Sequence, residues 1–254
     1  MSRNFDVLLR AEKQAGLFRV GECGTPLRQA SVVQETFTAR PSPVRIDSNV
    51  REAEMKLVQR LFLLPGSEAP HVVVFCGAEP RSGTTGICAR AGENLMSQTG
   101  LPVCLVDGNM DRPSLHCYFG MDKFPGLAES VVETAPICDF LHAVAGNLML
   151  LSAGSSDKEA RALWTSERLR ARVTELRKQF SYVLIDAPPA NSHVDAILWG
   201  QMADGAILIV ESNATRRDVA LKAKENLAAA KVKVLGAVLN NRIFAIPESV
   251  YRKL

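Results

Sequence analysis

Six short segments of this chain are almost wholly apolar, and they constrain the fold more than any other feature of the sequence. They are the runs HVVVFCGA, PVCLVDG, LMLLSAG, YVLIDAPP, GAILIVE and VLGAVLN. A strand is continuously apolar, rather than alternating, when helices cover both faces of its sheet. The segments between the runs have helical periodicity. One of them, with Ser166 as a candidate N-cap, has a single apolar face formed by Leu169, Val173, Leu176 and Phe180. The sequence therefore predicts an α/β fold, with a doubly wound, mostly parallel sheet and helices on both faces.

The first part of the chain lacks this pattern. Residues 1–46 mix small polar residues with glycines and show no sustained periodicity, which is typical of a flexible arm. Helical spacing of apolar residues begins near Ser48 and stops at Pro65-Gly66. A chain of 254 residues, 47% of them hydrophobic, has enough apolar material for one sizeable core. We predict a flexible N-terminal arm over residues 1–46 and one domain over residues 47–254.

The composition argues against several classes of protein. A net charge of +3, without a basic stripe that carries interleaved aromatic residues, does not indicate nucleic-acid binding. The six cysteines lie far apart, with neither CxxC pairs nor zinc-site spacing, and are expected to be reduced thiols in a reducing compartment. No apolar run approaches the ~20 residues that a membrane span needs. We therefore expect a cytoplasmic protein with no nucleic-acid partner.

The first apolar run leads directly into a candidate phosphate-binding loop. Its residues are Ala78, Glu79, Pro80, Arg81, Ser82, Gly83, Thr84 and Thr85. In such a loop, small residues let backbone N–H groups surround phosphate oxygens at a helix N-terminus, and a hydroxyl binds magnesium. Gly83 and Thr85 suit these two roles. The pattern [AG]xxxxGK[ST] is matched everywhere except at Thr84, where a lysine would reach the β- and γ-phosphates.

The missing lysine changes what this loop can do. Its loss should weaken binding of the γ-phosphate and, more severely, of the transition state in which charge redistributes. Arg81, in the same loop, could partly substitute, although its planar head reaches from a different place. Taken alone, the loop fits a tight strand-to-helix turn without a ligand equally well.

Two of the apolar runs end in aspartate, at Asp107 and Asp186. Ligands of an open parallel sheet bind beyond the carboxyl ends of its strands, so both carboxylates should lie beside the loop. Asp186 is expected to hold magnesium through water as a Walker B residue, with Thr85 as a second metal ligand. Asp107 is expected near the γ-phosphate, where it would orient the metal or accept a proton from an attacking hydroxyl. Either aspartate could instead be only a turn former or a helix cap.

These motifs, in this order, resemble those of the bacterial tyrosine kinases of capsule and exopolysaccharide assembly, which are relatives of the MinD and ParA ATPases. The stretch LVDGNMDRPSLH resembles the second Walker motif of that family, and YVLIDAPP resembles its Walker B motif. Further similarities are Gly126-Leu127, the run LSAG, the segment 236–240 and the closing IPESVYRKL. The likeness covers residues 48–254, so the expected domain is a P-loop kinase-like domain.

The resemblance implies ATP and magnesium bound at the loop, with Asn240 where relatives contact the adenine base. It also implies a partner, the cytoplasmic tail of an inner-membrane polysaccharide co-polymerase, which would bring the protein to the inner face of the plasma membrane. A homo-oligomer is a further implication, although the family's oligomerisation pattern ExxRxxR is reduced here to Glu54, Leu57 and Arg60.

The chain departs from the family at positions that matter for catalysis. Thr84 replaces the lysine, Asn109 stands at the second aspartate of the DxDxR motif, and Asp111 stands at its arginine. Asp107 and Asn109 are thus the candidate catalytic pair, but an amide cannot accept a proton as a carboxylate does. The tail carries a lone tyrosine, Tyr251, where the family has a phosphorylated cluster.

Three functions are open at this point. The one we favour is a nucleotide-binding, tyrosine-kinase-like regulator of exopolysaccharide synthesis whose phosphoryl transfer is weak or lost. The second is an active protein-tyrosine autokinase that has relocated its positive charge to Arg81 or to a partner. The third is a MinD- or ParA-like ATPase, or an interaction scaffold that binds no nucleotide.

Overall fold

The computed structural model describes residues 48–63, 69–155 and 167–241, with side chains described from Arg51 onward. These residues all fall in one compact unit. The predicted arm over residues 1–46 lies outside the described ranges, as do Ser166 and Tyr251.

Strands and helices alternate along the described chain. The strands are β1 (Val72–Gly77), β2 (Val103–Asp107), β3 (Leu141–Ala145), β4 (Leu148–Leu151), β5 (Tyr182–Ala187), β6 (Gly205–Glu211) and β7 (Val234–Asn240). The α-helices are α1 (Ser48–Phe62), α2 (Thr84–Thr99), α3 (Leu115–Tyr118), α4 (Leu127–Val132), α5 (Glu167–Gln179), α6 (Asp195–Met202) and α7 (Arg217–Ala229). A 3-10 helix, Ile137–Phe140, precedes β3.

The strands form one seven-stranded sheet in the order β3-β4-β2-β5-β1-β6-β7. Neighbouring strands are parallel except β3, which pairs with β4 in the antiparallel sense. The predicted α/β class and mostly parallel sheet are therefore confirmed, and all six predicted strands are present. The seventh strand, β3, was not predicted because this edge strand is only half-buried or exposed and has no continuous apolar run.

Alternate residues of the central strand β1 belong to two separate cores, one on each face of the sheet. Val72, Val74 and Cys76 join the core that includes α5 and α6, whereas Val73 and Phe75 join the core that includes α1 and α2. The predicted apolar face of α5 is confirmed, since Leu169, Val173, Leu176 and Phe180 are all buried. Burial of both faces explains why the sequence of β1 is uniformly apolar.

Helix α1 is fastened to α2 within the same chain. Glu54 forms an ion pair with Arg90, and Leu57 packs against the core beside these helices. Two of the three residues left from the oligomerisation pattern thus make intrachain contacts, while Arg60 is exposed. Within the described ranges, no helix combines the length and apolar character needed to cross a membrane.

Candidate functional site

The loop between β1 and α2 is a tight turn with two residues in the left-handed conformation. Gly83 caps α2 in a left-handed conformation with φ 79°, and Arg81 is also left-handed with φ 68°. The Ser82 hydroxyl donates a hydrogen bond to the Glu79 carbonyl at 2.7 Å, which closes the turn on itself. The first N–H groups of a helix have no intrahelical acceptor, so the start of α2 presents donors suited to an anion.

A cavity opens directly in front of this loop. Most of the predicted site residues lie on its wall, together with residues from the segments after β2 and β5. The lining residues are Glu79, Pro80, Arg81, Ser82, Gly83, Thr84, Thr85, Asn109, Asp111, Arg112, Ser114, Asp186, Ala187, Pro189 and His193. The topology explains this convergence, because β1, β2 and β5 are adjacent parallel strands whose carboxyl ends share one edge of the sheet.

Three side-chain oxygens meet at the base of the cavity. The Thr85 hydroxyl donates to Asp186 Oδ2 at 2.6 Å and lies 2.9 Å from the Ser114 hydroxyl. Two hydroxyls and a carboxylate form the all-oxygen donor set that Mg²⁺ prefers, and Mg²⁺ typically takes only one or two carboxylates while keeping waters and phosphate oxygens. The arrangement therefore fits the predicted metal ligands Thr85 and Asp186.

Asp107 lies next to Asp186 in the sheet register but is engaged differently. Its Oδ2 accepts hydrogen bonds from the backbone N–H groups of Ser114 at 2.8 Å and Leu115 at 3.0 Å. Its Oδ1 accepts one from the N–H of Asn109 at 3.3 Å. The side chain is fully buried and is not part of the cavity wall. In this conformation Asp107 anchors the turn after β2 and the start of α3.

Burial governs the protonation of both aspartates. The pKa of Asp186 is raised to about 8, mainly by burial and secondarily by the charge of Asp107, while the Thr85 hydrogen bond lowers it. The pKa of Asp107 is raised to about 6 by burial, against the lowering effect of its three backbone donors. Two carboxylates this close resist joint ionisation, and a cation beside them relieves the repulsion.

The other predicted residues take distinct places around the loop. Ala78 is fully buried and donates its N–H to the Ile209 carbonyl at 2.9 Å, so it fixes the loop to β6 rather than facing the cavity. Asn109 lines the cavity, and its Oδ1 accepts the N–H of Arg112 at 3.2 Å. Asn240, at the end of β7, donates from Nδ2 to the Ser82 carbonyl at 2.9 Å, which ties the last strand to the loop.

Several lining residues, Ser114 and Arg112 among them, were not singled out from the sequence. Ser114 and Arg112 both belong to the DRPSLH segment that carries the family resemblance. A hydroxyl within this segment, placed after the strand that ends in Asp107, was the available signal for Ser114. Nothing in the sequence indicated that it would contact the hydroxyl of Thr85, 29 residues earlier.

Comparison with known proteins shows which proteins this chain resembles. The sequence model of the family described as "Cellulose biosynthesis protein BcsQ" matches residues 71–235, which is more than half of the chain. Among curated proteins, tyrosine-protein kinase YwqD of Bacillus subtilis (strain 168) is 28% identical over 171 residues, covering 67% of this chain and 72% of YwqD. In two further curated kinase relatives the match spans 64% of their length.

Solved structures give the same result. The chimerical protein CapA2B2 superposes with a TM-score of 0.72 at 26% identity, covering 78% of this chain and 87% of that one. The septum site-determining protein MinD of Pyrococcus horikoshii OT3, complexed with Mg-ADP, shares the fold with a TM-score of 0.57 at 19% identity, over 72% of this chain and 76% of that one. The predicted resemblance to bacterial tyrosine kinases and MinD-like P-loop proteins is confirmed.

Proposed function

Because the chain belongs to the family of the cellulose biosynthesis protein BcsQ, we propose that it is a nucleotide-binding, tyrosine-kinase-like regulator of exopolysaccharide synthesis whose phosphoryl transfer is weak or lost. One observation carries the proposal. The Thr85 hydroxyl donates a hydrogen bond to the Asp186 carboxylate at 2.6 Å, so the two predicted metal ligands lie side by side at the cavity, while the neighbouring Thr84 stands where the lysine would be. The metal-binding half of the site is kept and the charge that drives transfer is missing.

The nucleotide would lie with its phosphates in the cavity in front of the loop. The N-terminus of α2 would receive phosphate oxygens, and magnesium would be held by Thr85 and Asp186. The bound metal would supply neutralising charge to the phosphates. Without a lysine at position 84, stabilisation of the transferring phosphoryl group falls to Arg81 and Arg112, the two arginines on the cavity wall.

The predicted general base has weak support in this arrangement. Asp107 accepts three backbone hydrogen bonds and does not line the cavity, and Asn109 carries an amide that cannot take a proton. Neither of the two candidate catalytic residues therefore offers a carboxylate to a substrate hydroxyl in the cavity. We infer a binding protein rather than a fast kinase.

The test is calorimetric titration of Mg-ATP into the wild type, Thr84→Lys and Thr84→Gln. Glutamine matches much of the length of lysine without its charge. We expect measurable binding of Mg-ATP to the wild type. Thr84→Lys should bind it at least about tenfold more tightly, which corresponds to about 1.4 kcal/mol, and Thr84→Gln should show no gain. Absence of heat for both the wild type and Thr84→Lys would leave only the scaffold function.

An active autokinase is the second candidate, and the position of Arg81 favours it. This residue is exposed, lines the cavity and adopts an uncommon left-handed backbone, which a non-glycine residue accepts only when its surroundings fix it. Robust phosphotyrosine formation by the wild type that disappears in Arg81→Ala, but persists when Arg170, an exposed arginine of α5 that does not line the cavity, is changed to alanine, would establish this candidate and reject the impaired-transfer proposal.

We also propose that the regulated partner is the cytoplasmic tail of an inner-membrane polysaccharide co-polymerase, which would place the protein at the inner face of the membrane. The likeness to the chimerical protein CapA2B2 and to kinases such as YwqD supports this assignment. Titration of the purified tail into the Mg-ATP-loaded protein should produce binding that is weaker in the nucleotide-free protein. Equal affinity in both states would contradict a nucleotide-dependent regulator.

A further inference from the structure

Three side chains of metal-ligand type lie together beside the cavity, apart from the proposed magnesium ligands. They are Asp111 after β2, His193 in the turn after β5, and Asp195 at the first position of α6. One ligand atom from each lies within 4.8 Å of the others. His193 Nδ1 is 3.2 Å from Asp111 Oδ2, so two of the three donors already face each other.

We propose that Asp111, His193 and Asp195 form a binding site for a divalent transition-metal ion such as Zn²⁺, Mn²⁺ or Co²⁺. The imidazole is the feature that selects this class, because Mg²⁺ and Ca²⁺ prefer oxygen-only sets, whereas one nitrogen with two carboxylate oxygens suits borderline ions. Three protein ligands leave at least one coordination position for water or an anionic ligand.

The distances are close to those required. Metal–ligand bonds of about 2.1 Å in tetrahedral geometry place donors about 3.4 Å apart. The 3.2 Å separation of His193 and Asp111 meets this value. The third donor, at up to 4.8 Å, would have to approach by about 1.4 Å, which a side-chain rotation supplies.

The surroundings favour a cation as well. Asp111 and His193 lie on the cavity wall together with Asp186, and Asp107 is buried behind it. The side chains of His193 and Asp111 are each about one-third exposed. Because the imidazole and the carboxylate are only partly solvated, a bound ion would replace their water at modest cost. A divalent ion here would add positive charge to the same cavity in which Thr84 leaves the loop without its lysine. That last consequence rests on the proposed function, whereas the metal site itself does not.

The experiment is titration of Co²⁺ into the nucleotide-free full chain, followed by visible absorption spectroscopy and calorimetry. We expect one equivalent to bind through nitrogen and oxygen ligands, and His193→Gln or Asp111→Asn to bind at least tenfold more weakly. Asp122→Asn, the same acid-to-amide change at another exposed position, should bind like the wild type. Zn²⁺ should raise the Tm of the wild type and of Asp122→Asn, but not that of His193→Gln.

Two results would overturn the proposal. One is equal Co²⁺ affinity in the wild type and His193→Gln, and the other is thiolate charge-transfer absorption, which would assign the metal to a cysteine such as the exposed Cys117 or Cys138. The outcome is independent of the nucleotide. Metal binding without Mg-ATP binding would uphold this site and reject the proposed function, whereas Mg-ATP binding without Co²⁺ binding would do the reverse.

Discussion

The hydroxyl of Thr85 donates a 2.6 Å hydrogen bond to the carboxylate of Asp186, a residue 101 positions later in the chain. The bond joins the start of α2 to the end of β5 and holds two oxygens where a phosphate-bound magnesium would sit. It also gives the buried Asp186 carboxylate a hydrogen-bond donor. Under the proposed function, the same pair would also coordinate the metal.

The first prediction concerns this pair. Thr85→Val keeps the shape of the side chain but removes the oxygen, so Mg-ATP affinity should fall at least about tenfold, which corresponds to about 1.4 kcal/mol. Thr85→Ser keeps the hydroxyl and should bind within about threefold of the wild type. The measurement is calorimetry at fixed Mg²⁺. Equal affinities for the valine and serine variants would mean that Thr85 is not a metal ligand.

The second prediction follows from the pKa of Asp186, which burial raises to about 8 from an ordinary value of 3.8. Between these pH values the folded protein retains a proton that the unfolded chain has released. The free energy of unfolding should therefore decrease as pH rises from about 4 to about 8, by at most about 1.4 kcal/mol per pH unit from this group.

Urea unfolding in EDTA at pH 5, 6, 7 and 8 measures this dependence. Asp186→Asn, which is neutral throughout, should flatten the slope, and the exposed Asp122→Asn should leave it unchanged. Added Mg²⁺ should recover stability mostly at the alkaline end, because the metal binds the ionised carboxylate. A slope that is as steep in Asp186→Asn as in the wild type would assign the pH dependence to another group.

The third prediction concerns Asp107 as an anchor of the backbone. Asp107→Ala would leave the N–H groups of Asn109, Ser114 and Leu115 without their acceptor in a buried environment, at a cost of about 3 kcal/mol. Asp107→Asn retains one oxygen acceptor and should cost less than half as much. The midpoint of urea unfolding reports both values. If the alanine variant is as stable as the wild type, these hydrogen bonds do not anchor the turn.

Loss of kinase activity in Asp107→Ala would therefore not identify a general base by itself. The alanine variant changes the fold of the segment that carries Asn109 and Ser114, and both of these residues line the cavity. A comparison with Asp107→Asn at equal folded fraction separates the two roles, because the asparagine keeps part of the anchor and removes the base.

The sequence predicted most of the fold because the strands are buried on both faces. Such strands leave a continuous apolar run, as in β1 and β5, and the order of the runs with helical segments between them allows few topologies. The edge strand β3 gave no such signal, since only half-buried and exposed residues form it. The position of the loop and of the two strand-end aspartates could be predicted because the carboxyl ends of parallel strands share one edge of the sheet.

Sequence reasoning could not supply contacts that depend on side-chain direction. Asp107 and Asp186 occupy equivalent positions at the ends of adjacent strands, yet one is held by backbone N–H groups and the other by the Thr85 hydroxyl. The contact between Asp111 and His193 could not be predicted either, because it depends on how two turns 82 positions apart in the sequence meet at the cavity.

The fourth prediction tests how closely Asn240 packs on the phosphate loop. A Cβ added at Gly83 would lie closer than 3.0 Å to Asn240 Nδ2, and the glycine also has φ 79°. Gly100, at the other end of α2, has φ 67° with no atom within 4 Å of an added Cβ. Gly100→Ala therefore measures the backbone cost alone, about 1 kcal/mol, and Gly83→Ala should cost at least about 1 kcal/mol more.

The double variant Gly83→Ala/Asn240→Ala tests whether Asn240 causes the extra loss of stability in Gly83→Ala. With the Asn240 side chain removed, the steric part of the Gly83→Ala penalty should vanish and only the backbone part should remain, which appears as a coupling energy in a double-mutant cycle of unfolding free energies. Because Asn240 holds the Ser82 carbonyl, Asn240→Ala alone should also loosen the loop and weaken Mg-ATP binding. Equal penalties for Gly83→Ala and Gly100→Ala, with no coupling to Asn240, would show that the last strand does not brace the loop.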